Sequence, residues 1–361
     1  MMRRAALLLC ACAVAAGITL QRLDAHKPVT SKYTFWEDVY PIVKEHCGSC
    51  HAPGGIAPMS LLTYDGARPW AESIRLELTA GHMPPWFGDP GVAPLKDVHK
   101  LSPRDLDVVL TWVSGGTPPG TGKPVPEAAV KSTWRRGRPD LTLSLPSPFT
   151  LPADTSEDTR EFVLQATNDR DRLIAAADLL PGNATIVHDA TIYTMGLSDS
   201  APNVIATWLP GVAPVTPDAG AGFLWRAGDP LAVRIHYKKT WKYENKPATD
   251  RTTVGLYVVK GTGRDVRSLS LPLSESGAVV DEDVRTLAVR SADAPSDVAV
   301  RVEAVRPDGS RIPISGFSTR AGWDQRYWLA RPTPVPKGTR FKVTTTGAPP
   351  GTLRLWLDVV R

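Results

Sequence analysis

Two cysteines three positions apart, with a histidine directly behind the second one, form the clearest chemical motif in this sequence. Cys47, Cys50 and His51 lie in the segment HCGSCH, and no other cysteine follows position 12 of the 361-residue chain. The spacing C-x-x-C-H is typical of covalent c-type haem, because two thiols on one turn reach the two vinyl groups of one porphyrin. We therefore predict one covalent haem c with His51 as the proximal iron ligand. A C-x-x-C disulfide beside an incidental histidine is the alternative.

The second axial ligand of the iron should be a methionine or histidine on a loop downstream of the motif. The candidates are Met59, His82, Met83 and His99. Met83 is favoured because it begins the segment MPPW, where two prolines stiffen the backbone just after the thioether. A haem iron bound by histidine and methionine suits electron transfer. We expect the exposed haem edge near residues 84–86.

Helical patterns flank the motif and predict a small helical domain. A first set of apolar residues at helical spacing leads into His46: Phe35, Val39, Ile42 and Val43. Pro41 lies inside this pattern and is expected to break or kink it. A second helix is predicted over Ala67–Ala80. A third should begin with Ser102 as N-cap and Pro103 in the first position, and end at glycines 115–116.

The sequence HCGSCHAPGGIAPMSLLTYDGARPWAESIRLELTAGHMPPW resembles the monohaem cytochrome c domain of a bacterial family. In that family the cytochrome is fused to a region similar to copper type II, ascorbate-dependent monooxygenases, the relatives of peptidylglycine hydroxylating monooxygenase and dopamine β-hydroxylase. The resemblance covers residues 30–120 and continues through most of the remaining chain. It implies that the methionine of MPPW, here Met83, is the distal haem ligand.

The predicted fold class is multidomain, with a small all-α cytochrome c domain followed by two all-β sandwich domains of the jelly-roll type. Short alternating segments such as TIVHDATIY, VRIHYKKTW and TLRLWLDVV, separated by turn residues, predict the sandwiches. The expected boundaries are 1–25 for a signal peptide, 30–118 for the cytochrome domain, 119–132 for a linker, and 133–260 and 261–361 for the two sandwiches.

A second metal site is considered at His188 and His236. The resemblance implies a first copper site with a pair of neighbouring histidines and a third histidine on another strand. Here Asp189 follows His188, so the pair is broken, while His236 takes the third place. Two histidines and a carboxylate can hold a divalent metal. Asp189 would nevertheless point to the opposite strand face from His188 unless the strand bulges. Two ordinary strand histidines with satisfied hydrogen bonds are the alternative.

The copper site that activates oxygen in the resembled monooxygenases requires a His-x-His strand and a later methionine. The chain contains no histidine after His236 and no methionine after Met195. These ligands cannot be supplied by folding, so the sequence does not favour copper as a cofactor or a complete monooxygenase.

The first 25 residues are typical of a secretory signal. Arg3 and Arg4 precede the uncharged, apolar stretch Ala5–Leu20, and Ala25 is an acceptable cleavage site. Lipidation at Cys12, or retention of the stretch as an anchor, are the alternatives and the only predicted membrane contacts. Export to the periplasm or another extracytoplasmic compartment agrees with c-type haem, which is attached outside the cytoplasm. The net charge of +5 is scattered along the chain, so no nucleic-acid partner is indicated.

Together these features predict an exported c-type cytochrome that passes single electrons to or from a redox partner protein. Its β-region would serve for docking or for assembly into a larger complex. The alternative is a haem-containing, monooxygenase-like oxidoreductase with a residual metal site at His188 and His236. A binding module in which the sandwiches hold a glycan or a partner and the haem is structural is a further alternative.

Overall fold

The computed structural model describes residues 29–130, 133–166, 168–196, 202–217, 220–274 and 276–361. The predicted leader, its cleavage site at Ala25 and the alternative lipidation site at Cys12 lie outside these ranges. Among the described residues, no helix has both the length and the apolar character that a membrane crossing requires. Contacts divide the chain into two compact units, and each unit is described by itself below.

The first unit contains the described residues up to Gly48 together with Ser60–Pro84 and Lys100–Glu127. Its helices are α1 (Tyr40–His46), α2 (Tyr64–Ala67), α3 (Ala71–Thr79) and α4 (Pro103–Ser114). A π-helical turn, Phe35–Val39, leads directly into α1, and a 3-10 turn, Arg68–Trp70, joins α2 to α3.

Start signals and prolines in the sequence explain where these helices begin. Ser102 caps α4 by accepting a hydrogen bond from the Asp105 backbone at 3.1 Å, and Pro103 takes the first position, as predicted. Pro41 is tolerated because it lies in the first turn of α1, where its missing N–H costs no hydrogen bond. Pro69 lies in the 3-10 turn, so the single helix predicted over Ala67–Ala80 is two shorter segments.

Aromatic packing holds the first unit together. Phe35 and Trp112 are fully buried, and their ring centroids lie 5.6 Å apart. The Tyr64 ring packs edge-on against Phe35 at 5.8 Å. The Trp112 indole N–H donates to the Pro118 carbonyl at 3.0 Å, which ties the chain beyond α4 back to this core. By contrast, α3 buries none of its side chains.

The predicted fold class, a small all-α cytochrome c domain followed by two all-β sandwich domains, is wrong. The described chain is mostly β-structure, and its α-helices span only four to twelve residues. Residues 49–59 and 85–99, which the prediction placed in the helical domain, group with the β-sheets instead. Prolines and glycines are frequent in both segments, and such segments cannot extend a helix.

The second unit contains residues 49–59, 85–99 and the chain from 128 onward, with all the strands of the described residues. The strands of its first half are β1 (Leu141–Ser144), β2 (Phe149–Leu151), β3 (Glu157–Leu164), β4 (Arg172–Leu180), β5 (Val187–Thr194), β6 (Asn203–Trp208), β7 (Ala221–Trp225), β8 (Leu231–Lys238), β9 (Ala248–Asp250), β10 (Thr253–Val258) and β11 (Arg264–Asp265). The strands of its second half are β12 (Arg267–Leu271), β13 (Ala278–Val279), β14 (Val284–Ala292), β15 (Val298–Val305), β16 (Arg311–Ser318), β17 (Gln325–Val335), β18 (Arg340–Gly347) and β19 (Arg354–Val360).

Two pairs of sheets organise these strands. The first pair combines the sheet β1-β10-β4-β7-β11 with the sheet β3-β8-β5-β6, and a short β2-β9 ribbon accompanies them. Side chains of both sheets, such as Ile174 and Ile192, share one hydrophobic core. The second pair combines β12-β19-β14-β17 with β13-β18-β15-β16 around a second core. Alternating apolar and polar residues, as in β15, place one face of the strand in this core.

Candidate functional site

Cys47 directly follows the first-unit helix α1. Its backbone N–H donates to the Val43 carbonyl at 2.9 Å, so the helical hydrogen bonding continues into the motif. The next residue must be small, because a Cβ on Gly48 would lie 2.6 Å from the Lys44 carbonyl oxygen. The chain can therefore turn tightly between the two cysteines.

Cys50 and His51 lie in a compact turn of the second unit. The Cys50 carbonyl accepts a hydrogen bond from the Ala57 backbone at 3.1 Å. A Cβ on Gly55 would lie 2.3 Å from that same carbonyl, so only glycine fits this position. The Cys50 thiol lies 3.8 Å from the Pro210 carbonyl, in the loop after β6. The first sheet pair thus supports the second half of the motif.

Burial controls the chemical state of both side chains. Desolvation raises the pKa of the Cys50 thiol, although the Ser49 hydroxyl and the charge of Arg135 act in the opposite direction. Desolvation also lowers the pKa of His51, against the effect of a hydrogen bond with the Met59 backbone. The imidazole is therefore neutral at physiological pH, which is the form that binds metals.

These residues fit a covalent haem. Cys47 and Cys50 do not form a disulfide. His51 has a buried ring nitrogen, Nδ1, without a hydrogen-bond partner. A buried polar atom of this kind is costly unless a ligand occupies it. The donor set is therefore compatible with the haem c that the motif predicts.

The four candidate distal ligands differ in their surroundings. Met83 is 42% exposed, and its backbone N–H approaches the Glu77 carbonyl at 3.4 Å in the first unit. The His82 imidazole is hydrogen-bonded to the Glu77 carboxylate, with a distance of 3.1 Å between Nδ1 and Oε2. Met59 and His99 are half-buried in the second unit. Met83 is thus the more exposed of the two candidate methionines.

The neighbourhood of Met83 differs from the sequence-based expectation. The haem edge was expected near residues 84–86, but only 8% of the Trp86 surface is exposed. Trp86 lies in the hydrophobic core of the second sheet pair. Sequence patterns did not indicate this burial, because one tryptophan after two prolines carries no periodicity.

A second cluster of possible metal ligands lies on β5 and β8. The pairing of these strands shifts register between Val187 and Asp189, so His188 occupies a bulge. The bulge brings Asp189 to the same side as His188, contrary to a regular strand alternation. Ligand atoms of His188, Asp189 and His236 all lie within 4.8 Å of one another.

Hydrogen bonds join this cluster into one network. Asp189 Oδ2 lies 2.9 Å from His188 Nδ1 and 2.7 Å from His236 Nδ1. His236 Nε2 lies 2.8 Å from Glu157 Oε1, which in turn faces Lys238 across β3 and β8. The Trp323 ring covers His188 edge-on, with centroids 5.2 Å apart.

The electrostatics of the cluster shift the pKa values of Asp189 and His236 in opposite directions. Burial alone would raise the pKa of Asp189, but the hydrogen bonds and charges of both histidines outweigh it and lower the pKa. The hydrogen bond to Asp189, opposed by desolvation, raises the pKa of His236, and Glu157 adds to the increase. Sequence reasoning identified both histidines but did not find Glu157. Its position opposite Lys238 becomes apparent only when the strands are paired.

Comparisons with known proteins give no family for this chain. No protein-family model and no curated protein matches it. Among solved structures, recombinant N-glycanase F (PNGase F) is 10% identical with a TM-score of 0.25, covering 61% of this chain and 96% of that one. A223, a turret protein in Sulfolobus turreted icosahedral virus, is 7% identical with a TM-score of 0.16, covering 61% and 98%. Bacillus subtilis oxalate decarboxylase is 7% identical with a TM-score of 0.16, covering 64% and 80%. Similarities this low assign neither a fold family nor a function.

Proposed function

We propose that this protein is an exported electron carrier that holds one covalent haem c. The observation that carries the proposal is the C-x-x-C-H motif, with Cys47 and Cys50 outside any disulfide and a half-buried His51 whose buried ring nitrogen Nδ1 has no hydrogen-bond partner. Cys47 and Cys50 would hold the porphyrin through thioether bonds, and His51 and Met83 are the proposed ligands of its iron. The bound haem supplies a reversible one-electron couple.

The surroundings of the motif support this role. Gly48 and Gly55 leave space that a Cβ would fill, so the backbone can turn closely around the two thiols. In the first unit, Ile74, Leu76 and Leu78 on α3 are not buried, and Leu76 is 53% exposed. This helix ends just before Met83 and so offers apolar surface for a porphyrin face.

The proposed setting is the periplasm or another extracytoplasmic compartment, because covalent haem attachment takes place there. A redox partner protein, or the other subunits of a larger complex, would receive or supply the electron. The sheet pairs provide a large folded surface for such docking.

Extraction of the pigment tests the proposal. Protein purified from a host that attaches c-type haem is denatured and extracted with acidified organic solvent. We expect the pigment to stay with the polypeptide at one haem per chain. Cys47→Ala/Cys50→Ala provides the matched control, in which any bound haem should pass into the solvent. Release of the pigment from the unaltered chain would refute covalent attachment.

A second candidate function is a haem-containing oxidoreductase with an additional metal at His188 and His236. The bulge in β5 favours it, because it brings Asp189 within ligand distance of both imidazoles. The donor set of two nitrogens and a carboxylate fits a divalent cation such as zinc. Metal content separates the two candidates. Iron alone in the native protein supports the carrier, whereas stoichiometric copper or zinc, lost in His236→Gln, supports the oxidoreductase.

A further inference from the structure

Residues 85–99, here called the strap, pack onto the second sheet pair. Trp86 and Leu95 of the strap are buried in the core of that pair. The strap is the chain between the first-unit segment that carries Met83 and the segment that carries α4. Most of its length is irregular, and it contains three prolines, at positions 85, 90 and 94.

Backbone hydrogen bonds fix the strap to two strands. Asp89 N–H donates to the Gly316 carbonyl at 2.7 Å, and the Phe87 carbonyl accepts from Ser318 at 3.0 Å, both on β16. Further along, Lys96 N–H donates to the Trp328 carbonyl at 2.8 Å, and Ala330 N–H donates to the Pro94 carbonyl at 2.9 Å, both on β17. The strap therefore has a defined place on the edge of both sheets.

The Trp86 side chain is the apolar anchor of the strap. Its indole packs edge-on against the Tyr327 ring, with centroids 6.1 Å apart. The neighbouring Gly88 makes room for it, because a Cβ there would lie 2.5 Å from the indole Cη2. The Gln325 side-chain amide donates to the Pro85 carbonyl at 3.3 Å, just before the indole.

We propose that Trp86 is a positioning residue for Met83 and acts through the two prolines that join them. The inference rests on the proposed role of Met83 as haem ligand. Only Pro84 and Pro85 separate the two residues, and both have a fixed φ. Three residues span at most about 10 Å, so a displacement of the anchored indole also displaces the backbone of Met83. The methionine side chain is flexible, so neighbouring residues have to hold its backbone in position.

The experiment uses the full-length haem-loaded protein and two readouts. The first is the long-wavelength charge-transfer band of methionine-ligated ferric haem. The second is the rate at which ferrous haem binds carbon monoxide, which rises when the methionine leaves the iron. For Trp86→Ala we expect a loss of at least half of the band and at least tenfold faster carbon monoxide binding, with covalent haem retained. Gly88→Leu should act in the same direction by displacing the indole, and Trp86→Phe should restore part of the band.

Leu357→Ala is the matched control. Leu357 is buried in the same core but lies on β19, whereas the strap is bonded to β16 and β17. An intact band in this control, with a weakened band in Trp86→Ala and Gly88→Leu, supports the inference. Equal loss in Leu357→Ala would overturn it, because general destabilisation would then explain the effect. A band that disappears in Met83→Ala but is unchanged in Trp86→Ala also overturns it. A band unchanged in Met83→Ala would instead refute the proposed ligand itself.

Discussion

Arg326 and Asp358 form a buried ion pair, with 2.7 Å between Nε and Oδ2 and side-chain exposures of 2% and 0%. Arg326 extends from β17, and its two terminal nitrogens donate to the Val204 and Ile205 carbonyls of β6 at 2.7 and 2.6 Å. Asp358 also accepts from the Ser268 hydroxyl at 2.5 Å. One arginine thus links the two sheet pairs of the second unit.

Replacement of this arginine should be costly. Arg326→Met leaves the Asp358 carboxylate buried without its cation, so we expect the free energy of unfolding to fall by about 3–5 kcal/mol. Denaturant unfolding of the variant measures the loss. The double variant Arg326→Met/Asp358→Leu should recover most of it, because neither member of the pair is then left without the other. Arg311→Met, which removes an exposed pair with Glu303, should change the value by less than about 1 kcal/mol. Equal losses in the buried and exposed variants would contradict this account.

The Glu37 carboxylate should titrate at unusually low pH. Hydrogen bonds from the Thr34 hydroxyl and from the Thr121 backbone and hydroxyl lower the pKa of Glu37 from 4.5 to about 2. A lowered pKa stabilises the folded state above pH 4.5, and this contribution disappears as the pH falls through about 2. Thr121→Val should raise the pKa towards its ordinary value in an NMR titration of the side-chain carboxyl. Thr79→Val, on the exposed side of α3, should leave the titration unchanged.

Haem loading should depend on Gly55. A Cβ at this position meets the Cys50 carbonyl at 2.3 Å, so Gly55→Ala displaces the turn that presents Cys50 and His51. We expect a clear fall in covalently bound haem per chain, measured by absorbance of denatured protein. Gly54 has a φ of +75° and no atom within 4 Å of an added Cβ. Gly54→Asn is therefore the matched control, because asparagine tolerates this backbone conformation. Full haem loading of Gly55→Ala would show that the turn is not required.

The distal ligand can be assigned with four single variants. Met83→Leu should abolish the charge-transfer band of methionine-ligated ferric haem and lower the reduction potential, because the thioether favours reduced iron. Met59→Leu, His82→Gln and His99→Gln should keep the band. If Met59→Leu were the only variant to lose it, the ligand would be Met59 and the role assigned to MPPW would be wrong.

Local signals allowed parts of the fold to be predicted. Ser102 and Pro103 mark the start of α4 because capping and proline preferences act within one turn. The segment TIVHDATIY was predicted as a strand, and β5 covers most of it. The bulge at His188 was not predicted, because a register shift depends on the partner strand rather than on the strand's own residues.

The prediction of the fold class was wrong for a related reason. Helical periodicity near Val39 and Leu106 was correctly recognised. Residues 49–59 and 85–99, however, group with strands that lie far away in the sequence. The Trp86 indole packs against the Tyr327 ring, and the two residues are too far apart in the sequence for a short window to contain both. The C-x-x-C-H motif could be read directly, because all of its chemistry lies within five consecutive residues.

The hydrogen bond between Pro85 and Gln325 joins residues 240 positions apart. If the chain is exported as proposed, its N-terminal part emerges first, and the strap cannot pack until the strands that hold it have been translocated. Attachment of a porphyrin to Cys47 and Cys50 would need only the early part of the chain. Thioether formation would then precede the packing of Trp86, and Met83 would become an iron ligand as one of the last events of maturation.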